Sequence, residues 1–554
     1  MGKSLGTILS IAVAVFAPYA AAALGLTGFG ATAFGFLAQG LVGKLVGGSS
    51  LFGGGKQGAG GGTQDQGLLV NKQSTTNQLY VVYGERKIGG HRIFIDTTDA
   101  NGADSGDAKA RYFNFGLAIC EGEVGWVNSF TFQDRIAWIH PEILANTGTD
   151  PDGADYNPYY ASAYEDDNNL THATWVADYN TTTGVADYFD GLLRLAIYRG
   201  TTTQTLSTPW FDSAYEDDNN NDVLDWAPDQ IVTMDGSDGF NGKGVCWALL
   251  NLKYDREKFP GAPTVQWDIV GKRVYDLIDT DSDLDPFDNK ALARNDTYDN
   301  VHADRAIYKN PSNVLYDYLT NSTYGKGLAE STLSGFDFAA LRTYCENKKI
   351  EVNGAINTDR TVFENTQTIL NSANAFIVYT QGKYAPKPLD ALVFVDGTFT
   401  FNKNNILGEW KIALGSKKNK QNRAKINFFN PKENWQADII TFPEDDSTNT
   451  YLQEDNNVLN ERTVDLPLTS VKEQAEKIGQ FLLKQSRFQD IVTFKSTWQA
   501  LQLDIGDPVY ITHDVPGYTN KKFRVVGLTL QQDATVDVTL IEYPDEDIWI
   551  PDAS

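Results

Sequence analysis

Beyond residue 78 the chain reads mainly as short runs of alternating apolar and polar residues separated by turn formers, the mark of antiparallel strands. Leu79-Tyr80-Val81-Val82-Tyr83-Gly84 reads as a strand, Gly89-Gly90 as a turn, and His91 to Ile95 as a second strand. After an acidic loop from Asp96 to Asp107 comes a further strand pair, Tyr112 to Cys120 and Glu123 to Phe132. Near the C-terminus Ile491 to Phe494, Pro508 to Thr512, Phe523 to Val526 and Val536 to Ile541 alternate in the same way. Helical spacing appears in between. Asn310 caps a helix with Pro311 in its first turn and Val314, Leu315, Tyr318 and Leu319 on one face, stopped by Gly325 and Gly327. A second helix starts at Ser334 to Asp337 and aligns Phe338, Leu341 and Cys345. Thr361 and Glu364 form a capping box for a third, and Ser470 with Glu473 predicts another, with Val471, Ala475, Ile478 and Leu482 on one stripe.

One stretch does not follow either period. Ser4 to Gly43, between Lys3 and Lys44, holds no charged residue, and its apolar side chains are diluted by Ala and Gly. Ile8, Ile11, Val15, Phe16, Phe29, Phe34, Phe36 and Leu37 are its candidate functional residues. A bilayer-spanning helix needs about 20 apolar residues, so the run accommodates one span, or two short ones broken near Pro18 and Gly25 to Gly30. Lys3, the apolar core Leu9 to Phe16 and the small residues Ala20 to Ala23 also fit a signal peptide. The third reading is a plug that meets a membrane late in the protein's life. Residues 49–67 form a Gly-rich tether, so the apolar segment is not built into the domain that follows.

Composition narrows the possibilities. A chain of 554 residues that is 41% apolar and 12% aromatic has enough material for several cores. Forty-nine Gly and two Met fit strands and turns better than helical bundles. A formal charge of -26 argues against a nucleic-acid-binding surface, because phosphate neutralisation needs clustered Lys and Arg. An acidic lumen, by contrast, lets DNA pass without sticking.

No chemistry stands out. Cys120, Cys246 and Cys345 sit among apolar neighbours and read as buried free thiols, and His91, His140, His172, His302 and His513 show no metal-ligand spacing. The region 140–244 repeats an acidic motif, Ser162 to Asn169 and Ser213 to Asn220, without the alternating ligands and closing Glu of a calcium loop. Asp279 to Asp285 begins like such a loop, but Leu284 stands where Gly is required and Lys290 where the bidentate Glu belongs. Solvated acidic turns are the simpler account. The one basic cluster is Lys417, Lys418, Lys420, Arg423 and Lys425, read as a solvated loop or as a contact for an acidic neighbouring subunit.

Several of these stretches, in order across roughly residues 78–545, resemble the tail tip attachment (J-type) hub proteins of long-tailed bacteriophages. They are Tyr80-Val81-Val82-Tyr83-Gly84-Glu85-Arg86-Lys87-Ile88-Gly89-Gly90, Ala118-Ile119-Cys120-Glu121-Gly122-Glu123-Val124, Phe259-Pro260-Gly261 and Val270-Gly271-Lys272-Arg273-Val274-Tyr275-Asp276. Asn310 to Asn321 with Tyr324-Gly325-Lys326-Gly327, Val352-Asn353-Gly354 and Leu503-Asp504-Ile505-Gly506-Asp507-Pro508-Val509 continue the series.

The resemblance implies an α+β, mostly β, multidomain baseplate-hub-like chain with two tube-type β-barrel domains, three copies of which make a pseudo-sixfold ring continuing the tail tube. Mapped onto this sequence, the expected division is an apolar plug or membrane-active segment (1–48), the linker (49–67) and a first β domain (68–135, rejoined by 245–275). An insertion with the acidic repeat (136–244), an α/β region (276–390) and a second β domain (391–554, with helix 470–487) follow. The implied role is structural, with no cofactor and no catalytic residue: a homotrimeric hub at the virion tail tip that closes the tube and opens for genome ejection. Implied partners are the distal tail protein and tube ring, the tape measure protein, a tail fibre or central spike, and transiently the host envelope; DNA passes without specific binding. Lambda-like members continue into fibronectin-like modules and a receptor-binding tip, which are not found before Ser554, so host recognition is expected in a separate fibre or spike. Two other classes compete: a tail-associated cell-wall-degrading enzyme, for which no local carboxylate signature exists, and a secreted calcium-binding surface protein. Under the hub reading the N-terminal run becomes the plug, three copies packed in a small-residue bundle.

Overall fold

The computed structural model describes residues 69, 71, 79–98, 112–132, 135–145, 179–204, 242–255, 257–258, 263–277, 291–292, 308–390, 397–415, 419–444 and 449–544. Ser4 to Gly43, the linker, the acidic repeats at 162–169 and 213–220, Asp279 to Asp285, Phe259 to Gly261, Lys417 and Lys418 lie outside the described residues. The chain is α+β and mostly strand, with few helices.

The first β unit consists of two four-stranded antiparallel sheets. One runs in the order His91–Thr98, Tyr112–Glu121, Val245–Lys253, Leu193–Arg199, and the other in the order Glu85–Ile88, Val265–Lys272, Val124–Phe132, Arg135–Ile139. Phe115, Leu117 and Ile119, every second residue of their strand, meet Val127, Phe130, Trp267 and Ile269 in a shared core. Tyr112–Glu121 and Val124–Phe132 are therefore strands, as the alternation predicts, but not a pair. Gly122, at φ +83, carries the chain from one sheet to the other, and a Cβ there would lie 2.8 Å from Lys272 Nζ. The stretch 136–244, expected to be an insertion, also contributes to this unit. Leu193–Arg199 forms a sheet edge beside Val245–Lys253.

Three helices, Pro311–Thr320, Gly335–Asn347 and Val362–Ser372, follow around a core of Val314, Leu315, Tyr318, Leu319, Phe338, Leu341, Cys345, Ile369 and Leu370. Their starts are the ones read from the sequence. Asn310 accepts from Ser312 N at 3.0 Å and Ser334 caps through Asp337 N. Thr361 and Glu364 exchange both capping bonds, at 3.2 and 3.0 Å. Caps of this kind contribute about 1 kcal/mol each.

The second β unit pairs a six-stranded sheet with a smaller one. The order is Thr400–Phe401, Pro508–His513, Tyr518–Leu530, Val536–Glu542, Ile491–Ser496, Ile406–Ala413. Although their strands stand near opposite ends of that order, Trp410 and His513 have ring centroids 4.3 Å apart, so the sheet curls strongly around its own core. The three-stranded sheet, Gln436–Phe442, Arg423–Asn430, Glu461–Asp465, is covered by helix Lys472–Gln485. A Cβ on Gly479 of that helix would lie 2.4 Å from Ile426 Cδ1, so this glycine sets how closely helix and sheet approach. The expected cap by Ser470 does not form. The helix begins after Val471 with no side-chain cap, and Ser470 Oγ instead accepts from Asn353 Nδ2 at 2.8 Å.

Candidate functional site: the junction built on residues 80–90

The segment Tyr80 to Gly90 passes through all three parts of the molecule. Tyr80–Tyr83 pairs with Gly354–Asn357 of the helical region, whereas Glu85–Ile88 pairs with Val265–Lys272 of the first β unit. Gly84 makes the switch. Its φ is +64, and a Cβ would stand 2.0 Å from Val352 O, so neither the conformation nor the space admits a side chain.

The polar side chains along this segment reach the helical region and the second β unit. Tyr83 and Tyr324 donate to the same oxygen of Asp317, at 2.6 and 2.7 Å. Burial pushes the Asp317 carboxyl above its ordinary range, against the lowering effect of those two hydroxyls, and burial together with Asp317 pushes the Tyr83 hydroxyl far up. Glu85 receives Lys309 Nζ at 2.9 Å, and Glu351 lies 3.6 Å from the same ammonium. Lys309 is only 2% exposed, so its charge is compensated by these carboxylates and not by water. The backbone N–H of Glu85 donates to Asn353 Oδ1 at 2.9 Å, and Asn353 Nδ2 donates to Ser470 at the edge of the second β unit. Gln474, from the helix beyond, completes the connection by bonding both the N–H and the C=O of Glu351 at 3.0 Å.

Arg86 and Lys87 reach further into the second β unit. The Arg86 guanidinium lies 3.9 Å from the Phe429 ring centre and 5.3 Å from that of Trp435, and Lys87 Nζ donates to Asn434 Oδ1 at 2.5 Å. Asn434 and Trp435 have φ of 54° and 60°. A left-handed Asn is common, but a left-handed Trp is an outlier that costs about 1–3 kcal/mol and persists only when its surroundings hold it.

Two more contacts fasten the helical region to the curled sheet. Asp504 accepts from Thr380 Oγ1 at 2.7 Å, and Asp507 accepts from Lys387 Nζ at 3.1 Å. Arg524, fully buried, donates to Leu389 O; burial lowers its pKa to about 10, opposed by Tyr543 and Asp390. Tyr344 donates to the neighbouring Asp390 at 2.5 Å, whose carboxyl burial pushes up.

The basic cluster divides differently. Lys420 pairs with Asp455 at 3.2 Å, and Arg423 and Lys425 pair with Glu461 at 3.9 and 3.0 Å. Arg423 and Lys425 lie in a strand, not in a loop, and all three described members meet acids of their own chain. Sequence reasoning singled out the motif 80–90 as a resemblance but missed the roles of Arg86, Lys309 and Asp317. The available signal was the run Glu85-Arg86-Lys87 between two apolar strand runs, where charges have to be either solvated or paired.

Residues 399–528 match the family model described as a putative phage tail protein. Over 208 residues, 37% of this chain, the sequence is 24% identical to baseplate hub protein pb3 of Escherichia phage T5, and the match spans 21% of that relative's length. In fold, 98% of the chain is similar to 98% of a chain from the virion of a native gene transfer agent particle, with a TM-score of 0.50 and 13% identity. A more partial likeness, 35% of this chain to 56% of the 43 kDa tail protein of prophage MuSo2 from Shewanella oneidensis, has a TM-score of 0.24 and 12% identity and bears no weight. With a match to a phage tail family model in its second β unit and a baseplate hub protein among its relatives, this chain is similar to structural proteins of the phage tail and baseplate.

Proposed function

We propose that three copies of this chain form the hub at the tail tip, closing the distal end of the tail tube and opening for genome ejection. The observation that carries this reading is the junction at 80–90. It fixes two β units of one chain in a set relation, as is needed if three chains are to supply six β units to a ring that continues a sixfold tube. In this reading the curled six-stranded sheet and the paired four-stranded sheets, Leu193–Arg199 included, serve as the two tube-type barrels. The acidic balance of the chain suits a lumen that DNA traverses without binding. The distal tail protein, tube ring and tape measure protein meet the hub from above, and a fibre or spike meets it from below.

The apolar run Ser4 to Gly43 acts as the plug, three copies closing the lumen and moving into the host envelope on triggering. Deleting residues 4–43 then spares trimer formation and impairs closure or DNA delivery; normal infection by particles carrying the deletion contradicts the plug. Lys417 and Lys418 are the members of the basic cluster proposed to face a neighbouring subunit. The mass of the purified full chain in solution tests the hub itself. A trimer supports it, and a chain that stays monomeric at every concentration opposes it.

A further inference from the structure

Cys120 and Cys246 face each other across neighbouring antiparallel strands, Tyr112–Glu121 and Val245–Lys253, just beyond an irregularity in the register. Directly opposed residues in such a pair have Cα atoms about 4.5 or 5.5 Å apart, and both spacings fall in the range a disulfide bridges. Both thiols are fully buried, and they are hydrogen-bonded to each other; that bond and then burial push the Cys246 thiol up. Arg199 lies opposite Cys246 on its other side. Cys345 belongs to a separate core, so the two thiols of the pair have each other as their nearest partners of that kind.

We propose that Cys120 and Cys246 are a modification site, a cross-strand disulfide formed by exchange with a small-molecule disulfide once the protein leaves reducing surroundings. One cysteine thiolate attacks the small disulfide, forming a protein–small-molecule S–S bond and releasing one small thiolate. The second cysteine thiolate then attacks the protein sulfur of that mixed disulfide, forming the Cys120–Cys246 bond and releasing the second small thiolate. Two protein thiols are oxidised, one small disulfide is reduced to two thiols, and the protein's two protons end on them.

Access comes from the end of the ladder. Beyond the pair, Glu121 lies opposite Val245, Gly122 N donates to Gly244 O at 2.7 Å, and Gly244 N and Gln204 Nε2 donate to Thr201 O and Gly242 O at 3.3 and 2.9 Å, so the sulfurs are reached when this terminus of the ladder opens locally. The bond would close the whole connection from residue 121 to 245 at its base. Cross-links that close long connections restrict the unfolded chain most.

The test uses the full chain, incubated with oxidised glutathione, then quenched, denatured, alkylated and mapped by peptide mass. The expected result is a linked Cys120–Cys246 peptide, Cys345 alone left to alkylate, reversal by dithiothreitol, and a higher urea midpoint for the oxidised protein. Cys345→Ser should still form the link, and Cys120→Ser and Cys246→Ser should not. Three alkylatable thiols after oxidation, glutathione retained on Cys120 or Cys246, a link through Cys345, or an unchanged urea midpoint would each overturn the proposal.

Discussion

The guanidinium of Arg86 stacks 3.9 Å from the ring of Phe429, and through this contact the first β unit is seated on the second. Arg86 is 1% exposed, so its guanidinium meets the faces of Phe429 and Trp435 and not solvent. Trp435, left-handed at φ 60° with its N–H donating to Asn430 O at 2.9 Å, presents its ring as the second wall of the Arg86 site.

Replacing Arg86 with Ala is expected to lower stability by about 2–4 kcal/mol, through a lost buried cation–π contact and the cavity left behind. Lys is not an adequate substitute, because it lacks the planar group that stacks. Chemical denaturation measures the loss, and limited proteolysis should show earlier cleavage between the two β units in the variant. Wild-type values in both would contradict the role given to Arg86.

Gly84→Ala should cost more than an ordinary glycine substitution. The site combines φ +64 with a backbone oxygen 2.0 Å from the new Cβ, so the backbone itself has to move. A loss of at least about 2 kcal/mol is expected, well above the roughly 1 kcal/mol scale of an unstrained change. Gly191, where nothing stands within 4 Å of a new Cβ, provides the comparison at a similar φ of +68.

Lys309→Met should leave Glu85 and Glu351 facing one another without a cation. Glu85 and Glu351 keep 26% and 28% of their side-chain surface exposed, so the loss should fall below the roughly 3–5 kcal/mol of a fully buried pair broken from one side. Adding Glu85→Gln and Glu351→Gln to Lys309→Met should recover much of that loss. A double-mutant cycle on urea midpoints measures the coupling, and additive losses would contradict the network.

Two carboxylates give stability opposite dependences on pH. Asp317 has its folded pKa raised by burial, so its contribution is complete below the unfolded value near 3.8 and is lost as pH rises through the folded one. Asp455 runs the other way: burial pushes it up, but hydrogen bonds from Arg487, Asn422 and Lys420 prevail and hold it at about 2. Its contribution is present above 3.8 and is lost as pH falls toward 2. Urea midpoints across the acidic and neutral range should therefore show Asp317→Asn gaining on wild type as pH rises, and Asp455→Asn losing on it. The same slope for both variants would contradict these assignments.

Local features were the legible part of the sequence. The starts of the helices at Asn310, Ser334 and Thr361 follow from capping chemistry that acts within three or four residues, and the C-terminal strands follow from strict alternation. The Ser470 cap does not form: the helix begins after Val471, and Ser470 Oγ accepts instead from the distant Asn353. Pairing was not legible for the same reason. Val124–Phe132 is buried along its whole length, so no polar face reveals that its partner is Val265–Lys272 and not the preceding strand. The junction was legible only as a motif. That Arg86 finds Phe429 depends on two segments far apart in the chain, and no local spacing encodes it.

Cryo-electron microscopy of the purified full chain, or of the tail tip that contains it, tests the hub most directly. The expected result is a threefold ring with a central lumen, each subunit supplying both β units in the relation fixed by Arg86 and Phe429. A monomer without a ring, or a ring to which only one β unit of each chain contributes, would contradict it.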